Sequence, residues 1–154
     1  MLEIRRAESR EDIAKVQTLW TEYWNSLGLP FTFQRFGEQL LSLPGEFAPP
    51  AGLLLLAISE SEAAGTIAVR PLNQEECEAK RLYVSPRFRG AGFGRKLLAA
   101  AIEIARRKGY HTMYGDTLTT MHQAAQLYES IGFARVGAYS PDPTPGAIYL
   151  KLVL

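Results

Sequence analysis

A run of alternating glycines, placed between an apolar segment and a long amphipathic one, is the feature that most constrains the fold of this chain. Residues 77–84 have the composition of a β-strand and end at the breaker pair Ser85-Pro86. Apolar residues then recur at helical spacing up to Lys108, and Gly109 ends the pattern. The sequence therefore predicts a strand, a loop and a helix, and the loop glycines are Gly90, Gly92 and Gly94.

The predicted glycine loop has the chemistry of a phosphate site. Glycine removes the side chain that would hold a ligand away from the backbone, and the first-turn amides of a helix are unpaired donors that favour an anion. Between Lys80 and Lys108 the chain has nine Lys or Arg residues and one acid, Glu103. The alternative interpretation is a solvated turn whose glycines allow close packing. We expect four basic residues to surround the loop: Arg87, Arg89, Arg95 and Lys96.

The overall composition indicates one ordinary globular domain over residues 1–154. Hydrophobic residues make up 47% of the chain and charged residues 21%. A net charge of +1 gives no general attraction to nucleic acid or to a membrane. The single cysteine, Cys77, excludes an internal disulfide and favours a reducing, cytoplasmic compartment. His111 and His122 have no partners at metal-ligand spacing, so no metal site is predicted.

Hydrophobic periodicity predicts an α/β (α+β) fold. An antiparallel start, followed by strand, helix, strand, helix and strand, indicates a mixed, mainly antiparallel sheet of six to seven strands with helices on both faces. A first helix is expected to begin after Ser9 and to end at Gly28. The continuous apolar run at residues 53–58 fits a strand that is buried on both faces. The predicted strands are residues 3–7, 53–58, 65–70, 77–84, 110–117, 133–139 and 147–153.

Three blocks of the sequence resemble one family, in the order in which that family has them. Loop spacing excludes a Walker A motif, which needs Gly-Lys-Ser/Thr, and a dinucleotide fingerprint, which needs G-x-G-x-x-G. Arg89, Gly92 and Gly94 instead meet the pattern Arg/Gln-x-x-Gly-x-Gly/Ala, which resembles motif A of the GNAT acyltransferase superfamily. Residues 124–133 resemble motif B of that superfamily, and residues 77–84 are similar to a subgroup with the strand motif Cys-Glu-x-Lys-Arg-Leu-Tyr-Val.

The resemblance implies an enzyme that moves an acetyl group from acetyl-CoA to an amine by direct attack in a ternary complex. It also implies that two central strands splay apart, which leaves strand backbone available to the pantetheine arm. One departure is Met121, where many members have an asparagine that contacts the cofactor. The implied cofactor-binding residues lie on the fourth strand and in the loop: Leu82, Tyr83, Val84, Arg89, Gly90, Ala91, Gly92, Phe93, Gly94 and Arg95.

Two side chains are candidates for acid and base. Tyr128 occupies the position of the family's tyrosine acid, and a phenol suits protonation of a leaving thiolate. Glu78 is the candidate base, since a carboxylate within a strand is out of place unless it is paired or functional. The alternative for Glu78 is a salt bridge with Lys80 or Arg81, and the substitute base is Asp116. A base role at neutral pH requires that burial raise the pKa of Glu78.

The acceptor is expected to be a small-molecule or peptide amine, and the fold does not identify it. We expect Trp24, Phe31 and Phe33 to line its pocket with the loop at residues 141–146, because they lie at or beyond a helix end in an aromatic-rich segment. Core filling is the alternative for these aromatics. The alternative function is an acyl-CoA-binding sensor or partner module without turnover. The resemblance favours a homodimer, although no sequence feature decides the oligomeric state.

Overall fold

The computed structural model describes residues 1–139 and 145–154, and within them seven strands form one sheet. The strands are β1 (Leu2–Arg6), β2 (Leu53–Ser59), β3 (Glu62–Pro71), β4 (Glu76–Val84), β5 (Thr112–Leu118), β6 (Ala134–Val136) and β7 (Ala147–Val153). The α-helices are α1 (Arg10–Leu27), α2 (Phe36–Ser42), α3 (Phe93–Arg107) and α4 (His122–Ile131). Short 3-10 turns lie at Phe33–Arg35, Gly45–Phe47 and Pro86–Phe88.

The sheet order is β1-β2-β3-β4-β5-β7-β6. Its described ladders are antiparallel except for the one between β4 and β5, which is parallel and central. The predicted mixed, mainly antiparallel sheet is therefore confirmed. Parallel neighbouring strands need a long crossover connection. Here α3 is that connection: the chain leaves the end of β4, passes through α3 and returns as β5 beside β4.

Helices cover both faces of the sheet, and β2 shows why both faces are apolar. Its odd-numbered residues, such as Leu53 and Leu55, pack in the cluster beneath α3 and α4, while Leu54 and Leu56 pack in the cluster beneath α1 and α2. All four leucines are at most 3% exposed. The prediction of a strand buried on both faces is confirmed. Cys77 is also fully buried, and burial raises the pKa of its thiol to about 12.

Local signals set the ends of α1 as the sequence predicted. Ser9 Oγ accepts a hydrogen bond of 3.1 Å from the Asp12 amide, which satisfies one first-turn donor. At the other end Gly28 adopts a left-handed conformation with φ 66°, as a C-terminal glycine commonly does.

The predicted sixth strand is wrong in length. Residues 133–139 were expected to be extended, but β6 comprises only three residues at the edge of the sheet. The chain leaves the sheet at Gly137, and the Tyr139 hydroxyl donates a hydrogen bond to the Glu78 carboxylate. Tyr139 therefore contacts Glu78 of β4 through its side chain, at a position where the prediction had it in the β6 ladder.

Candidate active site

The central strands separate part of the way along the sheet. The β4–β5 ladder ends at the pair Ala79 and Gly115, although both strands continue beyond it. On its other side β4 has a bulge, where the register with β3 shifts between Thr66 and Ala68. Arg81 lies in this bulge with φ 58°, a conformation that is rare for a residue with a side chain. The bulge and the lost ladder occur at the same level, and together they open the implied splay.

The glycine loop lies directly after β4 and leads into α3. Gly90 and Gly92 have φ values of 87° and 81°, which only glycine adopts at little cost. Gly92 is the N-terminal cap of α3, and no side chain caps the helix there. A Cβ added at either glycine would meet no atom within 4 Å, so the space beside the backbone is open. The first-turn amides of α3 therefore face a region that an anion can enter.

A cleft of about 620 Å³ joins this loop to the splay. Nine of the ten residues expected to bind the cofactor line it, and Ala91 is the exception. The opposite wall comes from α1, with Tyr23, Ser26 and Leu27, and from the start of α4. Met121 lines the cleft at the position where the asparagine of the family pattern was expected.

Of the four basic residues expected around the loop, two line the cleft, while Arg87 and Lys96 do not. Arg89 and Arg95 line the cleft, and each is anchored, Arg89 by a 2.8 Å hydrogen bond to the Val84 carbonyl and Arg95 by a 2.6 Å bond to Ser130 Oγ. Arg87 instead forms ion pairs with Glu60 and Glu62 at the β2–β3 turn. The expectation that Arg87 surrounds the loop is therefore wrong, because neighbouring carboxylates attract its guanidinium.

Tyr128 lies beneath the point where the strands separate. Its side chain is 3% exposed, and its ring packs against the backbone of Gly115, the last paired residue of β5. A Cβ at Gly115 would lie 3.1 Å from Tyr128 Cε1, so the missing side chain makes room for the ring. Burial raises the pKa of Tyr128, and the negative charge of Asp116 raises it further. The phenol is therefore protonated at neutral pH and can act as a donor.

Glu78 is held in a network of ion pairs and hydrogen bonds. Its side chain is 3% exposed, and Oε1 lies 2.7 Å from Arg70 Nε and 3.8 Å from Lys80 Nζ. The Tyr139 hydroxyl donates to Oε2. Burial alone would raise the pKa of Glu78, but the charges of Lys80 and Arg70, with the hydrogen bonds from Tyr139 and Arg70, hold it below its ordinary value. The raised pKa that a base role requires is not found, because these partners outweigh burial.

A second carboxylate stands on the other side of the splay. Asp116 is the first residue of β5 beyond the ladder, and its Oδ1 lies 3.6 Å from Lys80 Nζ. Its Oδ2 accepts a 3.3 Å hydrogen bond from Gln34 Nε2. The Gln34 Oε1 atom in turn accepts a 3.1 Å hydrogen bond from Arg81. Lys80, Asp116, Gln34 and Arg81 thus form one connected polar group, which we name the splay cluster.

The aromatic segment forms the wall beside this cluster. Trp24 is 2% exposed, stacks on Phe36 at 4.2 Å between ring centroids, and carries the Arg81 guanidinium over its ring at 4.6 Å. Trp24 and Phe33 line a small cavity of about 30 Å³ together with Arg81 and Asp116. Phe31 is 42% exposed and is not among the residues that line this cavity. Of the predicted loop at 141–146, residues 141–144 lie outside the described part of the chain.

Sequence reasoning missed residues that only the fold brings together. Gln34 and Gly115 belong to no sequence motif. Gln34 nevertheless connects Asp116 to Arg81, and Gly115 leaves room for the Tyr128 ring. Three tyrosine rings also pack in a row, with Tyr139 tilted against Tyr114 at 4.5 Å between centroids and edge-on to Tyr149 at 5.2 Å. The alternation of β5 and its register with β7 are the signals that would have placed Tyr114 and Tyr149 together.

A metal-ligand cluster and a membrane-spanning helix are both absent from the described residues. Within residues 1–139 and 145–154, no group of three or more His, Cys, Asp or Glu side chains has the arrangement of a metal site. None of the helices in that same part of the chain is long and apolar enough to cross a membrane.

Known proteins share both this sequence pattern and this fold. The family model described as Acetyltransferase (GNAT) family matches residues 13–133. An uncharacterized N-acetyltransferase of Schizosaccharomyces pombe is 35% identical over 144 residues, which cover 92% of this chain and 88% of that protein. The chain therefore belongs to the GNAT acetyltransferase family.

Solved structures show that the fold is that of the same family. An acetyltransferase from Streptococcus agalactiae superposes with a TM-score of 0.84 at 18% identity, covering 99% of this chain and 98% of that one. The PaiA N-acetyltransferase of Thermoplasma acidophilum, in complex with coenzyme A, superposes with a TM-score of 0.80 at 19% identity, covering 100% and 99%.

Proposed function

We propose that this protein transfers the acetyl group of acetyl-CoA to an amine, and that residues 1–154 act as one catalytic domain. The observation that carries the proposal is the 620 Å³ cleft, which runs from the glycine loop to Leu82, Tyr83 and Val84, the part of β4 that no longer pairs with β5. This cleft fits a long ligand with an anionic end. A solved structure with this fold contains coenzyme A, which supports the same use of the cleft.

The residues of the cleft fit the parts of acetyl-CoA in order. Positive φ at Gly90 and Gly92 and the first-turn amides of α3 suit the pyrophosphate. The backbone of Leu82 to Val84, on the side of β4 that no longer pairs with β5, suits the pantetheine arm. When bound, acetyl-CoA supplies a thioester carbonyl that an amine can attack. A strand amide at the splay then serves as the hydrogen-bond donor for the carbonyl oxygen.

Transfer forms a nitrogen–carbon bond, breaks the carbon–sulfur bond and moves two protons. The amine loses a proton, and the leaving thiolate gains one. Tyr128 is the proposed acid, because its phenol is protonated and buried at the base of the splay. Glu78 and Asp116 are the two candidate bases. Asp116 has the stronger case, because the described residues donate no hydrogen bond to its Oδ1 atom, whereas both oxygens of Glu78 are occupied.

Acetyl-CoA binding and thiol release test the proposal together. Acetyl-CoA should raise the melting temperature, since a ligand of the native state stabilises that state by mass action. Gly92→Asp should abolish the rise, because its carboxylate repels the pyrophosphate. The matched control is Gly92→Ala, which has the same strained positive φ but adds no charge, and a Cβ at this position would meet no protein atom within 4 Å.

The outcomes separate the two candidate functions. Release of free thiol in the presence of a mixed set of amines supports catalysis. A melting-temperature rise without thiol release for any amine would support the alternative, an acyl-CoA-binding module. If Gly92→Asp and Gly92→Ala both retain the full rise, the glycine loop is not the phosphate site.

A further inference from the structure

Three residues with a strained backbone lie in the splay cluster or next to it. Within residues 1–139 and 145–154, five residues other than glycine have a positive φ, and two of them, Glu60 and Ser61, form the β2–β3 turn. The other three are Gln34 (φ 54°), Arg35 (φ 57°) and Arg81 (φ 58°). The Arg81 guanidinium donates hydrogen bonds to the Gln34 side chain at 3.1 Å and to its carbonyl oxygen at 3.4 Å. Two strained positions are thus bonded to each other, and strain of this kind is most often kept where function requires a particular geometry.

Arg81 is the fixed end of this contact. It is 7% exposed, and it donates a 2.8 Å hydrogen bond to Gln39 Oε1 of α2. Its guanidinium carbon lies 4.6 Å from the ring centroid of Trp24 and 5.8 Å from that of Trp20, both in α1. Because one helix supplies the rings and another the amide oxygen, the guanidinium has little freedom to move. It therefore defines the place that the Gln34 side chain takes.

The chemistry of its two neighbours also fixes the orientation of the Gln34 amide. An arginine side chain has only donors, and an ionised carboxylate has only acceptors. Gln34 lies between one of each: its Oε1 accepts from Arg81, and its Nε2 donates to Asp116 Oδ2 at 3.3 Å. A flipped amide would lose both hydrogen bonds, because oxygen would then face the carboxylate. A side chain between α1 and α2 thus holds one oxygen of a carboxylate on β5.

The other oxygen of Asp116 is left to accept a proton. In the described part of the chain, Oδ1 makes one ion contact, 3.6 Å from Lys80 Nζ, and accepts no hydrogen bond. Gln34 and Asp116 both line the 30 Å³ cavity. That cavity shares three lining residues with the cofactor cleft: Tyr23, Leu27 and Met121. The carboxylate is therefore held through one oxygen, next to the cleft in which acetyl-CoA is proposed to bind.

We infer that Gln34 is a positioning residue, which holds Asp116 through Oδ2 so that Oδ1 takes the proton that the acceptor amine loses. The inference rests on the proposed acetyl transfer with Asp116 as the base. An N–H bond of the amine breaks as an O–H bond forms at Asp116, and the nitrogen electron pair attacks the thioester carbon. The leaving thiolate takes a proton from Tyr128, and both side chains then exchange protons with water. Arg81 acts one step further back, because it sets the Gln34 amide.

Gln34→Glu breaks one contact of the amide and keeps the other. The new carboxylate can still accept from Arg81, but it cannot donate to Asp116. Because a small misplacement of a reacting group can cost a large factor in rate, kcat for thiol release should fall by about 10-fold, with the KM of acetyl-CoA unchanged. Gln34→Met, which removes both contacts, should lower kcat at least as much. The matched control is Gln17→Met, which removes a 3.1 Å hydrogen bond from another half-buried glutamine to the Leu40 carbonyl and should leave kcat unchanged.

A double-mutant cycle separates positioning of the base from general support of the fold. If Gln34 acts through Asp116, Gln34→Glu should cause no further loss of kcat in the Asp116→Asn background, where the base is already absent and the asparagine amide can donate to the new carboxylate. Losses that multiply in the double variant would overturn the inference, and so would wild-type kcat in Gln34→Glu or in Asp116→Asn. Each of these results leaves acetyl transfer standing. Wild-type protein that releases no thiol with any amine would instead overturn acetyl transfer, and this inference with it.

Discussion

The proposed cofactor site and the proposed acceptor site, which we name the cofactor end and the acceptor end, are built from different chemical groups. At the cofactor end the structure offers backbone amides, glycines with positive φ and a helix N-terminus, all within residues 89–96. At the acceptor end it offers buried charged side chains, and the partners are far apart in sequence. Gln34 and Asp116 are 82 residues apart, and Glu78 and Tyr139 are 61 apart. The cofactor end is thus a local structure, while the acceptor end exists only in the folded protein.

This contrast explains how one fold can keep its cofactor and change its acceptor. A site made of backbone tolerates substitution of most side chains, provided that the glycines remain. A site made of buried charges changes its preference when one partner is replaced, because each remaining group is left unpaired. Substitutions at the acceptor end should therefore affect rate and selectivity, and substitutions in the loop should affect binding of acetyl-CoA.

The largest expected effect is at Tyr128, the proposed acid. Tyr128→Phe keeps the ring that packs on Gly115 and removes only the hydroxyl. Because a general acid typically contributes about 10²–10⁴-fold, kcat should fall within that range while the dissociation constant of acetyl-CoA stays unchanged. Stopped assays of thiol release and calorimetry of acetyl-CoA binding measure the two quantities. A variant with wild-type kcat would show that Tyr128 is only a core residue.

The sequence predicted the strand–loop–helix unit better than it predicted the surroundings of Glu78, for a physical reason. Breakers, glycine spacing and helical periodicity act over a few residues, so they located the strand–loop–helix unit and the boundaries of α1. Glu78 illustrates the opposite case. Its burial was foreseen, but its pKa depends on Arg70 and Tyr139, and no local pattern places those side chains beside it. The φ of 58° at Arg81 is likewise a consequence of strand register, not of a turn motif.

The second prediction separates the two carboxylates of the acceptor end. Asp116→Asn should lower kcat at neutral pH and recover part of it at high pH, where the amine is already deprotonated. Glu78→Gln should instead lower the free energy of unfolding by about 1–3 kcal/mol, because Arg70 and Lys80 lose one counterion each, while Arg70 keeps Glu46 and Lys80 keeps Asp116. A pH–rate series and urea unfolding of both variants check this. If kcat of Glu78→Gln falls at neutral pH and recovers at high pH, Glu78 and not Asp116 is the base.

The lowered pKa of Glu78 gives a third prediction, for stability against pH. Because the pKa of Glu78 in the folded protein lies below its ordinary value of 4.5, the ionised carboxylate stabilises the native state fully above that pH. The contribution is lost as the pH falls through the folded pKa. Wild-type protein should therefore lose more stability than Glu78→Gln between neutral pH and the acid range. Parallel pH dependences in the two proteins would contradict the ion-paired state of Glu78.

A fourth prediction tests the room that Gly115 makes for the proposed acid. Gly115→Ala places a methyl group 3.1 Å from Tyr128 Cε1, so the ring must shift. Overpacking of this kind costs about 1–3 kcal/mol, and kcat should fall because the hydroxyl moves with the ring. Gly137→Ala is the matched control, since its Cβ would meet no atom within 4 Å. Equal melting temperatures and rates for the two variants would show that the ring adjusts without consequence.

The smallest effect is expected in the aromatic wall, where Phe33 and Phe31 provide a matched pair. Phe33 lines the small cavity beside Arg81 and Asp116, with its ring 6.1 Å from that of Trp24, whereas Phe31 is 42% exposed and lies outside the cavity lining. Phe33→Ala should raise the KM of the amine by about fivefold, which corresponds to roughly 1 kcal/mol of lost contact. Phe31→Ala should leave it unchanged, and neither variant should alter the KM of acetyl-CoA. Trp24 is unsuited to this test because it is buried. Truncating a buried aromatic residue costs about 3–5 kcal/mol of stability, so a change in KM could not be separated from partial unfolding. If Phe31→Ala raises the KM of the amine as much as Phe33→Ala does, the acceptor also contacts the exposed Phe31 ring, and its binding site extends beyond the small cavity.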